Sequence, residues 1–77
     1  MRIEEIRHRL SIGDSVYLID RFEDVVIRLS PDSKGSVKSF IRRRGRIEVP
    51  IERTSRVVFD AELEGESITE DEYNRFQ

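Results

Sequence analysis

The spacing of apolar residues changes near the start of the chain. Ile3, Ile6 and Leu10 recur at helical spacing, so residues 2–10 are predicted to form a short amphipathic helix. Because so short a helix is unstable alone in water, it must dock on the rest of the protein. From Ser15 onward the apolar period shortens to two, which is typical of β-strands.

The first two period-two runs predict a β-hairpin. Residues 15–20 are apolar on both faces, as in a central strand, and residues 24–29 alternate between apolar and polar positions. The stretch RFE, residues 21–23, separates the two runs and predicts their connection. Turn-forming residues then end the second strand: Pro31, Asp32 and Gly35.

A second hairpin is predicted around the arginine-rich stretch FIRRRGRIEV, residues 40–49. Matching the residues that face inward gives three cross-strand pairs: Ile41 with Ile47, Ser39 with Val49, and Val37 with Ile51. The loop is then Arg43-Arg44-Gly45, with Gly45 at the left-handed position that such loops require. In this register Arg42 lies opposite Arg46. Pro50 predicts that the fourth strand lies at an edge or contains a bulge.

The last third of the chain predicts a fifth strand and a helix. Residues 57–64 place Val57, Phe59, Ala61 and Leu63 on one face if they form a strand, whereas a helix would divide these apolar side chains. Thr69 and Glu72 have the spacing of a capping box, and Ile68 and Tyr73 that of a hydrophobic staple. A helix is therefore predicted over residues 70–76, with its apolar side docked through two aromatic residues, Tyr73 and Phe76.

These elements predict one mainly β domain spanning residues 1–77, with short N- and C-terminal helices. Five strands over residues 14–64, joined by a hairpin, a loop, a tight hairpin and a short break, resemble the architecture of a small SH3-like barrel. The resemblance is one of strand order and spacing. An OB-like barrel is the alternative fold, although OB folds usually place a helix between strands three and four.

The size and composition of the chain argue against several classes of protein. A core built from 77 residues leaves little room for an enclosed substrate cavity of roughly 300 Å³, so neither catalysis, a small-molecule substrate nor a cofactor is expected. The chain has no cysteine for a disulfide or a thiolate metal site. Without a signal peptide or a membrane-length apolar run, a cytoplasmic location is expected.

Charge is strongly segregated along the chain, although the net charge is only −2. Residues 34–56 carry eight basic and two acidic side chains, whereas residues 57–77 carry one basic and seven acidic side chains. This separation favours an electrostatic contact, either within the molecule or with a partner.

The basic hairpin at residues 38–46 is the candidate binding site. Its candidate partner-binding residues are Lys38, Phe40, Arg42, Arg43, Arg44 and Arg46. The first hypothesis is a non-catalytic interaction or assembly subunit that presents this hairpin to an acidic protein surface, including that of a second copy. The alternative is an accessory protein for RNA or single-stranded nucleic acid, with arginines on phosphates and Phe40 stacked on a base.

Other candidate sites are weaker. His8 lies on the charged side of the first helix without a motif for catalysis, and the run Asp60, Glu62, Glu64 and Glu66 lacks the spacing of a calcium loop. No metal site is therefore expected. An aromatic groove for a proline-rich peptide is a further alternative, and its residues would be Tyr17, Phe22, Tyr73 and Phe76.

Overall fold

The computed structural model describes residues 3–77 as a five-stranded antiparallel sheet with three short helices. The elements are, in chain order, α1 (Ile3–Ser11), β1 (Val16–Asp20), β2 (Val25–Pro31), β3 (Val37–Arg43), β4 (Val49–Ile51), α2 (Arg56–Glu64), β5 (Glu66–Ser67) and α3 (Glu70–Asn74). The strand order across the sheet is β4-β3-β2-β1-β5.

The sheet is open, so the predicted barrel, SH3-like or OB-like, is wrong. Closure requires the two outer strands to pair with each other, whereas β4 pairs only with β3 and β5 only with β1. The outer strands are also short, with three residues in β4 and two in β5. Outer strands of this length could form only a few backbone hydrogen bonds with each other, which is too few to close a barrel.

The predicted fifth strand at residues 57–64 is also wrong, because this segment is the helix α2. Its buried residues are Val58, Ala61 and Glu62, which have the i, i+3, i+4 spacing of a helical face. The carboxylate of Glu62 accepts a hydrogen bond from Arg53 at 3.1 Å, so burial does not leave it without a partner. Alternating and helical patterns overlap here, and burial of Val58 in the core decides between them.

Helices cover the sheet on both sides. On the side that carries α1 and α2, called the helix side, the core consists of Ile6, Leu10, Val16, Leu18, Val25, Ile27, Leu29, Ile41, Val58 and Ala61. On the opposite side, called the α3 side, a smaller cluster contains Ile19, Val26, Tyr73 and Phe76. The prediction that residues 15–20 form a strand with two apolar faces is thus confirmed.

Both terminal helices are confirmed, although α3 ends at Asn74, two residues before the predicted end at Phe76. The first runs from Ile3 to Ser11, and the predicted starting residue, Arg2, lies outside the described residues. At the start of α3 the Thr69 hydroxyl accepts a hydrogen bond from the backbone N–H of Glu72 at 3.1 Å. The Glu72 carboxylate in turn accepts one from the backbone N–H of Thr69 at 3.0 Å, so the capping box is complete.

No helix among residues 3–77 combines the length and the apolar character that a membrane-spanning segment needs.

Candidate functional site: the basic hairpin

The hairpin formed by β3 and β4 has a register two residues away from the predicted one. Ile41 pairs with Val49 rather than with Ile47, and Ser39 pairs with Ile51. A shift of two keeps every side chain on its predicted face, so the apolar pattern could not distinguish the two registers. The turn is longer as a result. Within it Gly45 has a positive φ, as predicted, and the value is 69°.

The new register removes the predicted pairing of Arg42 with Arg46. Arg42 instead points across the α3 side of the sheet, where its guanidinium donates to the backbone carbonyls of Tyr73 at 2.6 Å and Phe76 at 3.0 Å. The same group lies 5.6 Å from the centre of the Tyr73 ring. Arg42 therefore donates to one carbonyl within α3 and to one just after it, and it holds α3 on the sheet.

Arg44 is also bound within the molecule. Its guanidinium contacts both carboxylate oxygens of Asp24, at 2.8 and 2.7 Å, and donates to the carbonyl of Gln77 at 2.5 Å. It lies 4.5 Å from the centre of the Phe76 ring. Two of the four arginines in the candidate site thus anchor the C-terminal segment.

Phe40 belongs to a network around Glu48. The Arg28 guanidinium lies 4.1 Å from the centre of the Phe40 ring and makes two hydrogen bonds to the Glu48 carboxylate, at 2.8 and 3.0 Å. The Tyr73 hydroxyl donates to the same carboxylate at 2.5 Å. With one ring face covered by Arg28, Phe40 has a structural role in this arrangement.

The charges in this network are fixed near neutral pH. The Arg28 guanidinium, helped by the Tyr73 hydroxyl, holds the pKa of the Glu48 carboxyl below its usual value. Burial, reinforced by the bond to the ionised Glu48, raises the pKa of Tyr73. Glu48 therefore stays ionised and Tyr73 stays protonated, which preserves the hydrogen bond between them.

The remaining three candidate residues have free side chains. Within residues 3–77, no ion pair or side-chain hydrogen bond engages Lys38, Arg43 or Arg46. Lys38 faces the α3 side of β3, whereas Arg43 and Arg46 lie at the turn end of the hairpin. The structure thus divides the predicted arginine cluster into two structural residues and two unpaired ones.

Arg43 and Arg46 border an open apolar groove of about 340 Å³. We call it the hairpin groove, and its lining residues are Ile41, Arg43, Arg46, Ile47 and Val49. Ile47 is 81% exposed and Val49 44% exposed. Sequence reasoning placed both aliphatic residues in the core and so missed them as surface residues. No feature of the alternating pattern could have shown that the helices stop short of this end of the sheet.

The other candidate groups do not form sites. The acidic residues 60, 62 and 64 lie on α2, and the described part of the chain contains no group of three or more potential metal ligands. Tyr17 and Tyr73 are in contact, with ring centres 5.3 Å apart, but Phe22 lies apart from them, exposed in the β1–β2 turn. His8 is exposed on α1, as predicted.

The division of the arginines predicts different effects on stability. Arg42→Ser should lower the free energy of unfolding by about 1–3 kcal/mol, because it removes two charge-assisted hydrogen bonds that hold α3. Arg43→Ser removes the same charge from an unpaired, exposed position and, at a protein concentration low enough for the chain to be monomeric, should change stability by less than about 0.5 kcal/mol. Urea unfolding of the two variants measures the difference. Equal stabilities would contradict a structural role for Arg42.

Comparison of the chain with protein-family models, curated proteins and solved structures gave no match.

Proposed function

We propose that the protein is a non-catalytic binding module whose hairpin groove takes an acidic, partly apolar segment of a protein partner. The observation that carries this proposal is the juxtaposition of two unpaired arginines with exposed aliphatic side chains. An apolar patch with a polar rim is typical of protein interaction sites. The arginines would select acidic partners, and burial of Ile47 and Val49 would add affinity.

The groove suits a protein better than a nucleic acid. Nucleic-acid affinity comes mainly from phosphate contacts, and Arg42 and Arg44 already bind groups within this chain. Contact of the exposed Ile47 with a phosphate backbone would contribute little binding free energy. Contact with an apolar side chain would contribute directly, because it buries apolar surface. RNA or a single strand remains the alternative partner, with Lys38, Arg43 and Arg46 as its contacts.

Side chains rather than backbone pairing would hold the partner. β4 is an edge strand of three residues, and its central residue, Pro50, has no N–H to donate to an added strand. Binding by extension of the sheet needs a longer row of backbone donors and acceptors. The groove beside β4 therefore offers a better surface than the edge of β4 itself.

The chemistry of the groove also favours binding over catalysis. Its lining consists of aliphatic residues and arginines. Arginine stays protonated near neutral pH and can donate hydrogen bonds, but it is a poor general base. These residues can attract and orient a carboxylate.

The proposal is tested by titrating the ¹⁵N-labelled protein with two probes. One is an acidic helical peptide with leucines four residues apart between glutamates, and the other is an oligothymidine of similar net charge. The peptide should shift the amide signals of residues 43–49. The double variant Arg43→Ser, Arg46→Ser should bind the peptide at least roughly tenfold more weakly, which corresponds to about 1.4 kcal/mol.

The matched control removes two positive charges elsewhere. Arg7 and Arg9 are exposed on α1 without an ion pair in the described structure, so Arg7→Ser with Arg9→Ser should leave peptide binding nearly unchanged. Equal losses in the two double variants would show that only total charge matters. If only oligothymidine shifted the amide signals of the hairpin, the result would contradict the proposal and favour the nucleic-acid alternative.

A further inference from the structure

The outer side of α2 carries an exposed apolar pair beside acidic residues. Phe59 is 53% exposed and Leu63 52% exposed, and their i, i+4 spacing places them one turn apart on the same side of the helix. Asp60 and Glu64 lie next to this pair along the helix. We call these four residues the α2 stripe.

The α2 stripe and the hairpin groove have complementary charges. Glu64 makes no ion pair within the described chain, and Asp60 has only a long contact of 3.7 Å with Arg56. On the groove, both Arg43 and Arg46 are unpaired. Each surface thus combines two aliphatic or aromatic side chains with charges that the other surface can neutralise.

The helix side of the sheet has room for a further helix. α1 and α2 pack mainly over β1 and β2. Ile47, in the turn before β4, and Val49, at the start of β4, lie beyond this cover and are exposed, whereas Ile51 at the end of β4 packs against the core. A helix laid in the hairpin groove would extend the helical layer across this end of the sheet.

We propose that the hairpin groove binds the α2 stripe of a second copy of this chain. This inference rests on the proposed function of the groove and names its partner. Phe59 and Leu63 of one copy would contact Ile47 and Val49 of the other. Asp60 and Glu64 would lie beside the two groove arginines.

The two surfaces determine the size of the assembly. A single contact would leave one groove and one stripe free on opposite partners, and repetition would build an open chain. Around a two-fold axis each copy gives its stripe to the other and receives one in return. The assembly then closes as a dimer with two identical contacts, and in each of them one hairpin groove covers the α2 stripe of the other copy.

Sedimentation equilibrium of the full chain and two charge-reversal variants tests the proposal. The groove variant carries Arg43→Glu and Arg46→Glu, and the stripe variant carries Asp60→Lys and Glu64→Lys. Wild-type protein should have twice the chain mass of 9.1 kDa at high concentration. Each variant alone sets like charges against each other and should dissociate at least roughly tenfold more readily.

An equimolar mixture of the two variants provides the decisive measurement. In the mixed dimer the reversed groove meets the reversed stripe, and the two unaltered surfaces meet each other, so association should return to the wild-type level. Circular dichroism checks that both variants fold, which is expected because the altered residues are largely exposed. Phe59→Ser with Leu63→Ser is an independent variant that should also be monomeric.

Two outcomes would overturn the dimer. One is a wild-type protein that stays monomeric throughout the concentration range, and the other is a mixture of folded variants that does not associate. A monomeric protein that still binds the acidic peptide at the hairpin would remove the dimer and leave the proposed function intact. A monomer that binds no peptide would remove both.

Discussion

Replacement of Tyr73 by alanine should lower the free energy of unfolding by about 3–5 kcal/mol. The ring is buried on the α3 side of the sheet with Ile19, Val26 and Phe76. Its loss opens a cavity in the smaller of the two cores and removes the contact with Arg42. Because small domains are stable by only about 5–15 kcal/mol, this variant should be close to unfolding under mild conditions.

Tyr73→Phe distinguishes the contribution of the Tyr73 ring to stability from that of its hydroxyl. This variant keeps the buried ring and loses the hydrogen bond to the ionised Glu48, so it should lower the free energy of unfolding by about 1.5–3 kcal/mol. Urea unfolding followed by circular dichroism measures both variants against the wild-type protein. If Tyr73→Ala and Tyr73→Phe lost the same stability, packing of α3 would contribute little, contrary to the structure.

Gly65→Ala should lower the free energy of unfolding by about 3 kcal/mol, at the upper end of the range for overpacking. An added Cβ would collide with the backbone carbonyl of Ala61 and lie 2.9 Å from the carbonyl oxygen of Ile19. The φ of Gly65 is −73°, which any residue adopts, so the cost comes from lack of space. Both obstructing groups are backbone, and relief requires α2 to move away from β1.

Glu64→Ala is the matched control for this substitution. It alters the adjacent residue at the exposed end of α2 and, at a protein concentration low enough for the chain to be monomeric, should change stability by less than about 0.5 kcal/mol. Thermal unfolding ranks the two variants, and hydrogen exchange should show the loss of protection in Gly65→Ala concentrated in α2 and β5. An unchanged melting temperature for Gly65→Ala would mean that the close approach of α2 to β1 is absent in solution.

The sequence predicted the features that depend on neighbouring residues. The capping box of Thr69 and Glu72 fixed the start of α3, because both hydrogen bonds join residues three positions apart. Helical spacing of Ile6 and Leu10 identified α1, and Gly45 marked the hairpin turn through its positive φ. Apolar residues on both faces identified β1 as a central strand. In each case contacts between near neighbours in sequence, or the spacing of apolar residues, were sufficient to identify the element.

Only the tertiary structure decided which pattern prevailed in residues 57–64 and which register joined β3 to β4. The α2 segment fits a strand and a helix, and burial of Val58 and Ala61 against the distant strands selected the helix. The two hairpin registers place identical residues on each face. The sequence pattern therefore carried no information about the shift, and with it none about the position of Glu48 beside Arg28.

The roles of the arginines also depended on distant contacts. Arg42 bonds to carbonyls 31 and 34 residues away, and nothing in the run of arginines distinguishes it from Arg43. Strand alternation sends the two side chains to opposite sides of the sheet, and only one of those sides carries α3. The sequence determined where the positive charges are, and the placement of α3 decided that Arg42 is bound within the molecule while Arg43 is not.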